Sequence, residues 1–200
     1  MTTEIAIIDQ RKLSRLGLGK LPRIVGNAGD RALIGVLAFD FARIGAVLAM
    51  DVGDYRQEGK KWAFLLHEKG GKEHHMMAHH SAEEFMDAYL EQAGIGSEKG
   101  TPLFRTIRGR NGQLTDNRLS RTDALRMIKR RARDAGLPAS TCCHTFRATA
   151  ITNYLNNGGT RDRAAAMAAH ESERTTKLYD RRDDKVTLDE VERINYRQQG

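Results

Sequence analysis

"HTFRATAITNYLNNGG", residues 144–159, and the later stretch "AAHESERTTKLYDRRDD", residues 168–184, carry the densest chemistry in the chain. Helical segments are expected at about 145–156, 161–169 and 173–179, with Gly158-Gly159 breaking the first pair. His144 and Arg147 are three positions apart, and on a helix such positions share a face. An imidazole beside a guanidinium suits an anionic centre. The guanidinium clamps two oxygens, and the imidazole moves a proton or donates a hydrogen bond. HxxR alone is a common pair and usually structural. Tyr179 lies nine positions after His170 and beside Leu178. It reads either as a helix-end aromatic packed on the core or as a hydroxyl exposed for chemistry.

Composition narrows the classes. A chain of 200 residues fits one domain, or one domain with short arms, and buries a core without disulfides. No apolar run approaches the roughly 18 residues of a membrane span. The start, "MTTEIAIIDQRKLSRLG", puts acid before the apolar patch and basic residues after it, the wrong order for a secretory leader. Cys142 and Cys143 are adjacent, which fits neither a CxxC metal site nor a disulfide framework. Two small buried residues in a reducing cytoplasm is the reading preferred. The formal net charge is +7, and between Arg105 and Arg133 ten Lys/Arg face two Asp, Asp116 and Asp123. So local a surplus points to a polyanion such as nucleic acid, with a solvated helix face as the plain alternative.

Elsewhere the pattern is mainly helical. "GDRALIGVLAFDFARIGAVLAMDV" (29–52) reads as a helix with Asp30 as N-cap, followed by a second helix from about Arg43 to Met50. In "KWAFLLHEKGGKEHHMMAHH" (61–80), two apolar stretches flank Lys69-Gly70-Gly71-Lys72 and suggest a hairpin. "SAEEFMDAYLEQAG" (81–94) is a helix with Ser81 and Glu84 as a capping box and Gly94 as its stop. "RGRNGQL" (108–114) reads as a loop. A basic amphipathic helix follows from about Thr122 to Ala135, with Leu125, Ile128, Ala132 and Ala135 on one side. "TLDEVERI" (187–194) is a candidate last helix. His67, His74, His75, His79 and His80 invite a metal reading. Adjacent histidines on a strand point to opposite faces, however, so structural or DNA-facing roles are preferred and no metal site is expected.

The order HTFR, His170, Tyr179 resembles the catalytic core of the tyrosine recombinase (phage integrase) family. In that family His-x-x-Arg is followed about 26 residues later by His or Trp, and nine residues after that by the nucleophilic tyrosine. His144, Arg147, His170 and Tyr179 keep both spacings. "LIGVLAFDFARIGAVLAMDV" resembles the helix pair carrying the family's first arginine, here Arg43. "HEKGGKEHHM" resembles its hairpin with the catalytic lysine, Lys69, with Lys72 as the alternate. The resemblance spans about residues 29–194.

It implies a mainly α-helical α+β domain with a small antiparallel sheet over 29–185. Residues 1–28 are then an arm too short for the family's core-binding domain, and 186–200 a tail with a short helix. It also implies cleavage and rejoining of double-stranded DNA in site-specific recombination or integration, without metal or cofactor. Tyr179 would attack phosphorus, with His144 as general base. Arg43 and Arg147 would hold the non-bridging oxygens, His170 would hydrogen-bond one of them, and Lys69 would act as general acid. Lys72, Arg105, Arg108, Arg110, Lys129, Arg130 and Arg131 are expected at DNA, and "RRDD" after Tyr179 reads as a solvated turn. A cytoplasmic protein is expected, tetrameric on recombining DNA and possible as a monomer alone.

Two departures from the family pattern stand out. Phe41 occupies a position where glycine is common. Ala46 replaces a carboxylate that orients the first arginine, which leaves Asp51 as the substitute expected to orient Arg43. Two rival readings use the same residues: a truncated, non-catalytic DNA-binding relic, and a topoisomerase IB-like nicking and relaxing enzyme.

Overall fold

A computed structural model describes residues 25–68, 70–109 and 113–169. Among them the chain forms six α-helices and five strands: α1 Val25–Phe39, α2 Ile44–Ala49, β1 Tyr55–Glu58, β2 Lys61–His67, β3 Glu73–Met77, α3 His80–Ala93, β4 Arg105–Arg108, β5 Gln113–Arg118, α4 Arg121–Asp134, α5 Cys143–Asn156 and α6 Arg161–Met167. This is the helix-rich α+β class expected from the sequence.

Helix α1 packs on α3 because each presents a continuous apolar stripe. Leu33, Ile34, Val36 and Leu37 of α1 and Ala82, Met86 and Tyr89 of α3 are all buried. Close approach of the two axes depends on Gly35, where a Cβ would stand 2.9 Å from the Phe85 ring. α1 begins at Val25, inside the stretch read as an arm. Asp30 is therefore within the helix rather than at its cap, and its carboxylate pairs with Arg130 at 3.2 Å and Arg131 at 2.7 Å.

The hairpin read around Gly70-Gly71 is present. Strands β1, β2 and β3 form one antiparallel sheet in that order. Gly70 and Gly71 have φ of 81° and 75°, a left-handed pair that few residues other than glycine adopt in succession. Tyr55, Trp62 and Phe64 stack on the inner face of the sheet. A second antiparallel pair, β4–β5, brackets the "RGRNGQL" loop. Its strands read as charged or polar, so alternation was too weak to mark them.

Helix α3 begins one residue before Ser81, with His79 as N-cap instead of a Ser81/Glu84 box. The cause is Asp40, whose Oδ1 accepts from the His79 backbone N–H at 2.9 Å. The His79 ring stacks on Phe39, and its Nδ1 accepts from the Ser81 N–H at 3.2 Å. In α4 the buried residues are Ala124, Met127, Ile128 and Ala132, whereas Leu125, read on the apolar side, is 39% exposed.

α5 runs through the middle of the molecule. Its buried residues circle the helix, from Thr145, Phe146 and Arg147 to Ile151, Thr152 and Leu155. A helix covered on all sides is a core element, not a surface one. Its Phe146 belongs to the main core with α1–α4 and the sheet, and its Ala148, Ile151 and Leu155 to a smaller cluster with Phe41, Ala164 and Ala168. Arg147 is buried beside the smaller cluster, bonded to the carbonyls of its Phe41 and Ala168. The segments read as helices at 173–179 and 187–194 lie outside the described residues, as do 1–24.

Candidate active site

The site is built around three consecutive carbonyls. The last turn of a helix leaves carbonyl oxygens without intrahelical partners, and cationic donors near it are favourable. At the end of α6 these are Met167, Ala168 and Ala169. His74 Nε2 donates to Met167 O at 3.1 Å. Arg147 Nη2 donates to Ala168 O. Arg43 Nη2 donates to Ala169 O at 3.2 Å. One short turn thus gathers the hairpin strand β3, helix α5 and the cap of α2. Two of the three donors are the arginines singled out in the sequence. The turn ends immediately before His170.

Arg43 is the N-cap of α2, with extended backbone (φ −78°, ψ 137°). Its side chain is 41% exposed. The carboxylate that orients it is neither the absent one at position 46 nor Asp51. It is Glu68, whose Oε2 accepts from Arg43 Nη1 at 2.6 Å and whose side chain is 7% exposed. Asp51 is instead the partner of Arg118. Glu68 was missed in the sequence. Its signal is position alone: it stands between the last residue of β2 and Lys69.

Arg147 is 3% exposed, and its other donated bond, from Nη1, goes to Phe41 O. Phe41 is one of two non-glycine residues with positive φ among those described, at 54°; the other is Ala169, at 46°. The position where glycine is common therefore keeps the left-handed backbone without glycine. The Phe41 ring, 3% exposed, packs edge-on to Tyr154 at 5.8 Å. That packing offsets the backbone cost, which is about 1–3 kcal/mol for such a residue.

His144 sits one turn before Arg147, on the exposed side of α5's first turn. Its pKa is lowered, first by burial of the ring's inner side and then by the positive charges of Arg147 and Arg43. His144 therefore feels both arginines, and the neutral imidazole, the form able to accept a proton, is favoured. The start of α5 is fixed by a reciprocal cap: the Cys142 N–H donates to Thr145 Oγ1 at 3.0 Å, and the Thr145 N–H donates to Cys142 O at 3.0 Å. Both cysteines are half-buried free thiols, less enclosed than expected.

Lys69, Arg110, His170 and Tyr179 lie outside the described residues. The remaining basic residues divide. Lys72 and Arg108 are exposed in the two hairpins. Arg105 departs from the expectation of a DNA contact: its side chain is 4% exposed and bonds Glu98, Thr101 and the Pro102 carbonyl. Burying an arginine requires such acceptors, and here one of them is a carboxylate, Glu98, which already meets the charge. Arg130 and Arg131 share Asp30, and Lys129 donates to Ala139 O at 2.5 Å. Among the described residues no three His, Cys, Asp or Glu side chains gather as a metal site. His67 pairs with Asp54 at 2.9 Å and His75 with Glu58 at 2.6 Å.

The fold is similar to that of solved recombinases. The XerA recombinase superposes with a TM-score of 0.69 at 18% identity, over 90% of this chain and 61% of that one. The Tn1549 transposon integrase, solved in complex with circular intermediate DNA, gives 0.65 at 17% identity, over 96% of this chain and 65% of that one. The XerH site-specific recombinase, bound to palindromic difH substrate as a post-cleavage complex, gives 0.65 at 16% identity, over 88% of this chain and 49% of that one. The chain thus spans between about half and two thirds of these proteins. No curated protein matches it. The phage integrase family model matches residues 23–185, which include the arginine, hairpin, HTFR and tyrosine motifs. The chain therefore belongs to the phage integrase family, the tyrosine recombinases.

Proposed function

We propose that this chain cleaves and rejoins DNA strands in site-specific recombination or integration, through a 3′-phosphotyrosyl intermediate. The observation that carries the proposal is the convergence of Arg43 and Arg147 at the turn that leads into His170, with His144 on the same helix as Arg147 and one turn before it. The family membership and the DNA-bound neighbours support the same reading.

The scissile phosphate binds where Arg43 and Arg147 converge. Attack by the Tyr179 oxygen forms a new P–O bond and breaks the bond to the 5′-oxygen. The tyrosine hydroxyl passes its proton to neutral His144. Lys69, next to Glu68 on the hairpin, returns a proton to the departing 5′-oxygen. Charge that builds on the non-bridging oxygens is held by the two guanidiniums and by His170. Because the phosphate ester is exchanged and not hydrolysed, the reverse attack by a 5′-hydroxyl rejoins a strand. Exchange between two duplexes takes four protomers, and the tail at 186–200 is the candidate contact between neighbours. Among the described residues no helix is long and apolar enough to cross a membrane. The bacterial cytoplasm, at the nucleoid, is the proposed location.

The test is a nicked suicide duplex that traps the covalent intermediate, run without added metal and again with chelator. Wild type forms a protein–DNA adduct in both, and Tyr179→Phe forms none. An adduct with Tyr179→Phe contradicts the nucleophile. Duplex binding with no wild-type adduct favours the non-catalytic DNA-binding reading.

A further inference from the structure

Arg121, the first residue of α4, was not among the expected DNA contacts. It is exposed, and among the described residues its guanidinium has no hydrogen-bond or ion-pair partner. It is nevertheless seated on a specific surface. The guanidinium packs against Gly45 of α2, two residues after Arg43, with Nη2 nearest. A Cβ on Gly45 would overlap Arg121 Nη2 and stand 3.1 Å from Cζ and 3.4 Å from Nε. The seat exists only because position 45 has no side chain.

A neighbouring arginine fixes the placement. Arg118, at the end of β5, donates to Leu48 O at 2.8 Å and Met50 O at 2.7 Å, and pairs with Asp51. It fastens the β5–α4 corner to the C-terminal end of α2. The Ser120 side chain then starts α4 by accepting from the Asp123 N–H at 3.1 Å. Three residues after the fastening arginine, Arg121 is delivered to the other end of α2, the end capped by Arg43. Arg43 has Glu68, while Arg121 has no anion among the described residues. A planar five-donor fork with no acceptor among the described residues, seated on the helix that Arg43 caps, is complementary to a phosphate.

We propose that Arg121 clamps a backbone phosphate of the DNA next to the scissile one, and that Gly45 is the residue that lets it reach there. The inference rests on the proposed DNA reaction and adds to it a contact that fixes the register of the duplex against Arg43. Such contacts position the substrate and carry no sequence information.

The experiment measures duplex affinity as a function of salt for wild type, Arg121→Gln, Gly45→Ala and Arg133→Gln. Duplexes of unrelated sequence are used, and the suicide-substrate adduct is assayed in parallel. Each phosphate contact contributes about 0.9 to the slope of log K against log salt. Arg121→Gln is expected to lower the slope by about one and to weaken binding alike on every sequence. Gly45→Ala is expected to reproduce part of that loss with Arg121 intact, because the new methyl group displaces the guanidinium. Thermal melting should be unchanged in both, since Arg121 holds no internal bond and the atom displaced is the end of a flexible side chain. Arg133→Gln, 78% exposed at the far end of α4, should leave the slope nearly unchanged. Equal slopes for wild type and Arg121→Gln overturn the inference while leaving the proposed reaction intact. So does a loss confined to one base-pair identity, or an equal loss in Arg133→Gln. A wild-type chain that neither binds nor forms the adduct overturns both.

Discussion

At the scale of single residues, the site depends on groups whose chemistry is shifted by their surroundings. His144 is the clearest. Desolvation, then the charges of Arg147 and Arg43, hold its pKa below the ordinary 6.5. Its neutral form therefore persists to lower pH than in a free histidine, and the general-base step proposed for it would be lost only as pH falls through that lowered value. The acidic limb of the cleavage rate is predicted below pH 6.5. Arg43→Gln removes one of the two cations, so it should lower the rate and also move the limb upward. A limb that stays in place in Arg43→Gln would show that His144 is not the group being titrated.

Phe41 sets two residue-scale effects against each other. Glycine at 41 would relieve a left-handed backbone worth about 1–3 kcal/mol. It would also remove a buried ring, and large-to-small changes of that kind cost about 3–5 kcal/mol. The cavity should win. Phe41→Gly is predicted to destabilise by about 2 kcal/mol, seen as a melting point lower by roughly 4–8 °C for a chain of this size. A higher melting point would mean that strain, not packing, dominates there.

At the scale of elements, the short connection between α1 and α2 is held by a buried acid. Asp40 is 2% exposed, with one oxygen on the His79 N–H and the other without a partner among the described residues. Burial pushes its pKa up to about 8, so the neutral acid is the form that folds. In the unfolded chain the same group ionises near 3.8. Between these values the folded state holds a proton that the unfolded state has released. Stability therefore falls as pH rises from about 4 to about 8, by at most about 1.4 kcal/mol per pH unit. Asp40→Asn should flatten that decline in a series of melts across the range. An unchanged slope would mean that Asp40 is ionised in the folded protein. The loop concerned carries Phe41 and Arg43, so its stability bears on the site directly.

At the scale of the whole molecule, the sequence made legible what is periodic or motif-bound. The apolar stripe of α1, the double glycine of the β2–β3 turn and the basic face of α4 each follow a local rule. The HTFR spacing placed His144 and Arg147 on one helix, and the structure finds them there. Contacts between elements were not legible. Nothing local marks Glu68 as the partner of Arg43 across 25 positions, or Asp30 as the partner of Arg131 across 101. Arg105 shows the same limit from the other side. A basic residue reads as a surface cation until Glu98, Thr101 and Pro102 fold around it. The β4–β5 pair escaped because its residues alternate too weakly to announce strands.

The claim that joins these scales is that Arg43 and Arg147 share one scissile phosphate and stabilise the charge it gains. It is tested most directly by making that phosphate neutral. A methylphosphonate at the scissile position has one charged oxygen fewer, so less guanidinium stabilisation is needed. The measurement is the rate of Tyr179-dependent adduct formation by wild type and Arg43→Ala, each on phosphate and on methylphosphonate duplexes. The account predicts a large defect for Arg43→Ala on the phosphate, on the order of a hundredfold or more for one lost transition-state donor, and a much smaller defect on the methylphosphonate. An equal defect on both would contradict it, because Arg43 would then be serving something other than the charge on phosphorus.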